Sequence, residues 1–384
     1  MAERKCLRKL LHTADLHLDS PFAGKHPSEA QEKRELQRRV FKRIFSLAKE
    51  TECDMILIAG DLFDGKYVTP ETESLCLRLF REAECPVVLA PGNHDPFVAG
   101  SFYRREDMPE NVYVFSSTQL QCFEFEELGV KLFGYAFTSS VLPESPLAGA
   151  ELPEEDESLR ILCAHGDLGM AISRYAPVIP SDAVRLGLDY CALGHIHRAG
   201  DVVEQDGTVL CYSGIPQGRS YDETEEGSVR IVTLSPYGMP KVEQVTVSEE
   251  MYLWEELDIS DCEDTAAAMK RIGEFVQQSI KKGCTHLRLT LTGHALPETV
   301  AELSERRIPI SEELAELVLQ DRTVPYADGA YLERDVGIKG AFYRSLYPKL
   351  IHEDPSIRRE ALLALQIGLA AIENRRIPGE ESGE

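Results

Sequence analysis

The chain has 384 residues, with 41 lysines and arginines against 65 aspartates and glutamates, a formal charge of −24. Such a field repels polyanions at long range, so contact with a nucleic acid would have to rest on local cations or bound metal. No stretch approaches the roughly 20 apolar residues that cross a bilayer, and no long apolar run follows the basic start Met1–Lys9, so neither a membrane span nor a signal peptide is expected.

Leu10–Asp15, Met55–Asp61 and Pro86–Gly92 each read as a short apolar run ending in a polar loop. Gln31–Lys49 and Thr69–Ala83 between them read as helices, so the chain opens β-α-β-α-β. Met55-Ile56-Leu57-Ile58-Ala59 is apolar at consecutive positions, as expected of a strand covered on both faces. Leu159–His165 and Tyr190–His197 repeat the run-then-loop pattern, and Gly227–Ser235 and Lys241–Ser248 read as closing strands. From about residue 251 the pattern changes: Met251–Ile259 and Thr285–Gly293 alternate around a helix at Asp264–Ile280, and 311–321 suggests another short helix. The last segment is helical, with Leu362, Leu365, Leu369 and Ile372 at near-heptad spacing, and 378–384 reads as a disordered tail. The division expected is a core at 1–250, an α+β domain at 251–335 and a helical segment at 336–384.

The loops carry the chemistry. Asp15-x-His17, Gly60-Asp61, Gly92-Asn93-His94-Asp95, His165 and Gly194-His195-x-His197 follow one another at the carboxyl ends of the apolar runs, where sites form in layered sheets. They supply two carboxylates, an amide oxygen and several imidazoles, enough for two neighbouring divalent metals. Two metals roughly 3.5–4 Å apart can hold a phosphate, activate water and stabilise an in-line displacement. A lone histidine more often satisfies a core hydrogen bond, but five motifs in order at strand ends leave that reading little room. Nitrogen and oxygen donors without thiolate suit manganese, iron or zinc better than magnesium. The ten cysteines contain no CxxC pair and read as reduced core thiols of a cytoplasmic protein.

The set D-x-H, GD-x-x-D, GNHD, H and GH-x-H resembles the calcineurin-like metallophosphoesterases. The run His12-Thr13-Ala14-Asp15-Leu16-His17-Leu18-Asp19 is most similar to their DNA-repair exonuclease branch, with SbcD- and YhaO-like members. Ser20-Pro21-Phe22 leans toward the YhaO-like proteins. The resemblance spans about residues 10–220 and implies an α/β fold: a layered α-β-β-α core, a smaller α+β capping domain and C-terminal helices. It implies that Asp15, His17 and His197 hold one metal, that Asn93, His165 and His195 hold the other, and that Asp61 bridges them. His94 would contact the scissile phosphate and assist the leaving oxygen. Asp64 occupies the place of the aspartate that orients this histidine in phosphatase relatives; some archaeal nucleases carry a histidine there, and a turn cap is the alternative. The branch implies manganese as the working ion, with iron or zinc as alternatives, DNA as substrate and a coiled-coil ATPase as partner. The apolar C-terminal helix would dock that partner or pack on its own domain; a homodimer is compatible.

Charge is the counterweight. Lys25–Lys49 carries eight cations against three glutamates. Lys33, Arg34, Arg38, Arg39, Lys42 and Arg43 could track phosphates or form the solvated face of a helix. Arg104, Arg105, Arg198 and Arg219 lie nearer the motif loops, and Tyr212–Ser220 resembles the substrate-side segment of the nuclease branch, so Arg198, Arg219 and Ser220 are candidate backbone contacts. The acidic runs Glu151–Glu157 and Asp222–Glu226 read as solvated loops. The reading is a two-metal DNA exo- or endonuclease. One alternative is a phosphodiesterase or phosphatase for nucleotides or phosphoproteins, and another is a subunit weakly active without its partner.

Overall fold

The computed structural model describes residues 7–372, apart from 66–67, 153–156, 237, 263, 296–298, 300–313 and 326–328. The tail at 378–384 and most of the acidic run at 151–157 therefore lie outside the described residues. The chain divides into two compact units, Met1–Met251 and Tyr252–Glu384.

In the first unit, β1 (Arg8–Thr13), α1 (Pro27–Glu50), β2 (Met55–Ile58), α2 (Pro70–Glu82) and β3 (Val87–Leu89) form the opening β-α-β-α-β. Both helices begin on a proline, and the Thr69 hydroxyl caps α2 by accepting from Thr72 N–H. β1, β2, β3 and β4 (Val112–Val114) run parallel. β11 (Ser228–Ser235) and β12 (Gly238–Thr246) complete this six-stranded sheet in the order β12-β11-β1-β2-β3-β4. A second six-stranded sheet has the order β5-β6-β7-β8-β10-β9, from β5 (Gln121–Phe125), β6 (Val130–Gly134), β7 (Leu159–His165), β8 (Tyr190–Gly194), β9 (Val203–Gln205) and β10 (Thr208–Tyr212).

Side-chain alternation explains the stacking. Met55 and Leu57 join Leu10, Val88, Ile161, Tyr190 and Val209 in a core between the sheets. Ile56 and Ile58, facing the other way, pack with Phe41, Ile44 and Phe80 of α1 and α2. The outer face of the second sheet, through Phe133, Leu162 and Leu193, is covered by a third cluster that includes Ala183 and Leu186 beside α3 (Pro180–Arg185). The core is therefore the α-β-β-α sandwich expected, with apolar runs arising because every central strand is covered twice. His12 braces the two sheets: its ring nitrogens meet the Tyr190 hydroxyl at 2.8 Å and the Leu193 carbonyl at 3.1 Å.

The second unit contains a parallel three-stranded sheet, β13 (Tyr252–Asp258), β14 (His286–Thr292) and β16 (Glu316–Asp321), with α4 (Thr265–Lys281) between the first two. β15 (His294–Ala295) pairs with β17 (Val324–Pro325). The helix expected over 311–321 is a strand where it is described: Glu316–Asp321 pairs with β14 from His286↔Glu316 to Leu291↔Asp321. Leu314, Leu317 and Val318 fit helical spacing equally well, and the open edge of β14 decides the outcome. Three helices close the unit: α5 (Gly329–Arg334), α6 (Ile338–Leu350) and α7 (Pro355–Ile372). Leu365 and Leu369 of α7 are buried with Leu332, Phe342 and Leu346, whereas Leu362 and Leu363 are exposed.

Candidate metal centre

Every candidate ligand leaves the carboxyl end of a strand. Asp15 and His17 follow β1, Asp61 and Asp64 follow β2, and Asn93 and His94 follow β3; His165 ends β7, while His195 and His197 follow β8. The first two loops run side by side, with Asp15 N–H donating to Gly60 carbonyl and His17 N–H to Asp61 carbonyl, both at 3.0 Å. In these paired loops Asp15, His17 and Asp61 adopt positive φ (53°, 44° and 50°), as does His195 after β8 (107°). L-residues reach this region only when their surroundings impose it, and such strain gathers at functional sites. Gly92 has no alternative to glycine, since a Cβ there would lie 2.1 Å from Asp61 Oδ1.

The structure brings Asp15, His17 and His197 together, and Asp15, Asp61 and His165, with donor atoms of each set within 4.8 Å of one another. His17 Nε2 and His197 Nε2 face each other at 3.0 Å. Asp61 Oδ2 lies 3.8 Å from His17 Nε2 and 3.4 Å from His165 Nε2, between the two groups. Asn93 Oδ1 is 2.9 Å from His165 Nε2. The His195 ring stands 5.1 Å from that of His165, and its backbone N–H donates to both Asp15 oxygens at 3.1 Å. His94, half-exposed at the rim, sets its ring 4.9 Å from His17 and its Nδ1 2.9 Å from Asp64 Oδ1.

The donors fit divalent metal. His165 is fully buried, and a backbone carbonyl, Ala59 O at 3.0 Å, holds its Nδ1 as the donor. On its other side, Asn93 Oδ1 and Asp61 Oδ2 both point lone pairs at Nε2. Burial pulls this imidazole down, but the charges of Asp61 and Asp15 with its hydrogen bonds outweigh it and hold the group at about 9. The convergence of acceptors on Nε2 that favours a proton there would favour a cation in its place. His17 is drawn down, first by burial. Its Nδ1 is buried and unbonded, 3.6 Å from Asp64 Oδ1.

Behind the candidate ligands stand acceptors placed to orient them, as metal-binding imidazoles commonly have. His197 Nδ1 donates to Glu223 Oε1 at 2.7 Å, and His195 Nε2 lies 3.4 Å from Asp167 Oδ1. Burial opposes ionisation of Glu223, yet its hydrogen bonds from His197 and Arg219 prevail and bring it down to about 2. Asp95 ties two ligand loops together by accepting from Phe63 N–H at 3.0 Å, Gly92 N–H at 2.9 Å and the Tyr103 hydroxyl. The sequence reading gave Glu223, Asp167 and Asp95 no role. Asp222–Glu226 is not simply a solvated loop: Glu223 is hydrogen-bonded to His197, Glu225 pairs with Arg198, and Glu226 accepts from Thr246.

The cations are less available than the sequence suggests. Lys33 pairs with Glu250, Arg38 with Asp19, Arg39 with Glu249, and Arg43 with Glu50. Arg105 pairs with Glu73 and Asp107. Arg219 does reach the site: its guanidinium donates to Glu223 at 2.8 Å and lies 3.5 Å from Asp64 Oδ2. Arg198 is exposed and paired with Glu225, and exposed Ser220 accepts from Asp222 N–H. No contact between Arg198 or Ser220 and a candidate ligand is recorded among the described residues.

A sandwich whose two parallel edges meet in one imidazole–carboxylate cluster defines a class of metal-dependent phosphoester hydrolases. The calcineurin-like phosphoesterase model matches residues 8–199, and the chain belongs to that family. It is 30% identical over 311 residues to the metallophosphoesterase YhaO of Bacillus subtilis, covering 76% of this chain and 73% of YhaO. It is 23% identical over 231 residues to the DNA double-strand break repair protein Mre11 of Saccharolobus solfataricus, covering 56% of each. Among solved structures, Vps29 of Cryptosporidium parvum covers 63% of this chain and 99% of its own, at 14% identity and a TM-score of 0.32. No helix among the described residues is long and apolar enough to cross a membrane.

Proposed function

We propose that this phosphoesterase is a DNA nuclease that works with two divalent ions, manganese first among them. Asp15, His17 and His197 would hold one ion, Asn93, His165 and His195 the other, with Asp61 between them. When bound, such a pair activates water and neutralises the charge that builds on the phosphoryl oxygens. The observation that carries the phosphoester-hydrolysis part of the reading is the rim pair. Asp64 takes Nδ1 of His94, so the half-exposed imidazole presents Nε2 outward as a proton donor to a leaving oxygen. The hydrogen bond from His94 to Asp64 raises the imidazole above its ordinary value, favouring the protonated form that a general acid requires. Arg219, anchored on Glu223, adds positive charge beside Asp64, where a phosphate would approach. Arg198 and Ser220 would contact the backbone further out. Similarity to the DNA double-strand break repair protein Mre11 supports DNA as substrate. A coiled-coil ATPase partner, which the motif resemblance to the nuclease branch implies, would dock on exposed Leu362 and Leu363 of α7. The nine cysteines among the described residues are free thiols, which agrees with a cytoplasmic setting.

A second reading keeps the chemistry and changes the substrate to a nucleotide or phosphoprotein. The charge of −24 and the internal pairing of the α1 cations favour it. Manganese-dependent degradation of end-labelled linear duplex DNA, run beside a small phosphodiester and a phosphomonoester, separates the two. DNA cleavage that disappears in His94→Ala is the expected result. Turnover of the small esters alone, with the ATPase partner absent or present, would overturn the nuclease reading.

A further inference from the structure

The acidic loop after β10 contains one carboxylate unlike its neighbours. Glu223 is largely covered, with side-chain exposure of 9%, while the loop around it is largely open. One oxygen, Oε1, accepts from His197 Nδ1 at 2.7 Å and from Arg219 Nη2 at 2.8 Å; the other, Oε2, accepts from Arg219 N–H at 2.7 Å. An ionised carboxylate has no proton to give, so Nδ1 of His197 must carry one, and Nε2 is the nitrogen left with a lone pair. That Nε2 is the atom facing His17 Nε2 at 3.0 Å. Arg219 continues the chain of contacts to Asp64 Oδ2 at 3.5 Å and to the Ser20 hydroxyl at 3.3 Å. Ser20 in turn donates to the His17 carbonyl at 2.8 Å. A single partly buried ion pair thus touches the mounts of His197, His17 and Asp64, across elements separated by up to 199 positions in sequence.

We infer that Glu223 is a positioning residue of the Asp15–His17–His197 ion, fixing the tautomer and aim of His197 and, through Arg219, the place of the Asp64–His94 pair. The inference rests on the two-metal reading but is indifferent to whether DNA is the substrate. It also assigns Arg219 a scaffold role that substrate binding alone would not require. Outer carboxylates on metal-binding histidines are typically worth about 10–100-fold in metal affinity. Of the two ions, only the one held by His197 should respond.

The test is a manganese titration of the whole chain by calorimetry, with bound metal counted after dialysis, for the unsubstituted protein, Glu223→Gln, Glu223→Ala and Glu226→Gln. Glu226 lies in the same loop but accepts only from Thr246 among the described contacts, so its variant controls for loop charge. Glutamine can still accept from Nδ1 but cannot balance Arg219, so Glu223→Gln should weaken one ion by about 10-fold. Glu223→Ala should weaken the same ion by about 100-fold and leave the second unchanged. Melting of the metal-free proteins checks that each is folded, and the glutamine variant, nearly isosteric, carries the test if alanine unfolds. Two ions bound by Glu223→Gln as tightly as by the unsubstituted chain would overturn the inference while leaving the metal centre intact. An equal loss in Glu226→Gln would overturn it too, by reducing the effect to charge. An unsubstituted chain that bound no manganese would remove the two-metal reading itself.

Discussion

Replacing Gly60 with alanine places a methyl group where His165 already stands. A Cβ there would lie 2.2 Å from His165 Nδ1 and 2.5 Å from its Cγ. The ring has no room to swing aside: Ala59 carbonyl holds Nδ1 at 3.0 Å, Asn93 holds the far nitrogen at 2.9 Å, and the side chain is fully buried. The backbone adds a second cost, because Gly60 has φ +95°. An L-residue in left-handed backbone costs about 1–2 kcal/mol, and overpacking about 1–3 kcal/mol, for about 2–5 kcal/mol in total. Gly24→Ala calibrates the first part, since Gly24 has φ +84° and no heavy atom within 4 Å of its Cβ position; it should lose only about 1–2 kcal/mol. Urea unfolding of the metal-free chain, followed by near-ultraviolet circular dichroism, measures both losses. Gly60→Ala should also bind manganese more weakly, as His165 is displaced. Equal stability of the two variants, with unchanged metal affinity in Gly60→Ala, would refute the steric argument.

Other substitutions give separate checks. Asp61→Ala should lower the affinity of both ions and Asn93→Ala of one, read as bound-metal stoichiometry after dialysis. Asp64→Ala removes the bond that raises His94, so the alkaline limb of the kcat/KM profile should move to lower pH; an unmoved limb would exclude His94 as the general acid. His12 is buried and held neutral, drawn down to about 3 chiefly by burial. The unfolded chain takes up this proton first as pH falls, so stability should be intact above about 6.5 and decline between about 6.5 and 3, by up to about 5 kcal/mol. His12→Gln should flatten that decline in acid unfolding titrations. Leu365→Ala should destabilise the C-terminal unit by about 2–5 kcal/mol, measured on Trp254 fluorescence, whereas Leu363→Ala, half-exposed, should stay within about 0.5 kcal/mol.

Much of this site can be read from sequence for a physical reason: each ligand follows an apolar run that must end where it leaves the sheet. The sandwich follows in the same way from Met55–Ala59, whose unbroken apolarity requires cover on both faces. What escapes is set by distance along the chain. Lys33 and Arg39 read as free cations because their partners, Glu250 and Glu249, lie more than 200 positions away. Glu223 looked like one acid among four; its spacing of four from Arg219 was the available signal, but only the fold shows that His197 lies against it. Residues 316–321 read as helix because local spacing cannot register an open strand edge elsewhere. β4, β5, β6, β9 and β10 were passed over, being short or bounded by polar residues.

The candidate ligands come from both layers of the sandwich. Asp15, His17, Asp61 and Asn93 ride on the first sheet, and His165, His195 and His197 on the second. Ions bound there would act as rivets between two plates, and the apolar filling between the plates would act as the spacer that sets their gap. If one sheet slid over the other by about 1 Å, three histidines would move as a block against the opposing carboxylates, a displacement on the scale at which catalytic geometry fails. Repacking Leu57, Val88 or Ile161 would then retune metal affinity from a distance, without altering a single donor atom. Conversely, filling the centre would resist that sliding, so loss of metal should loosen the whole sandwich as well as the loops at its edge.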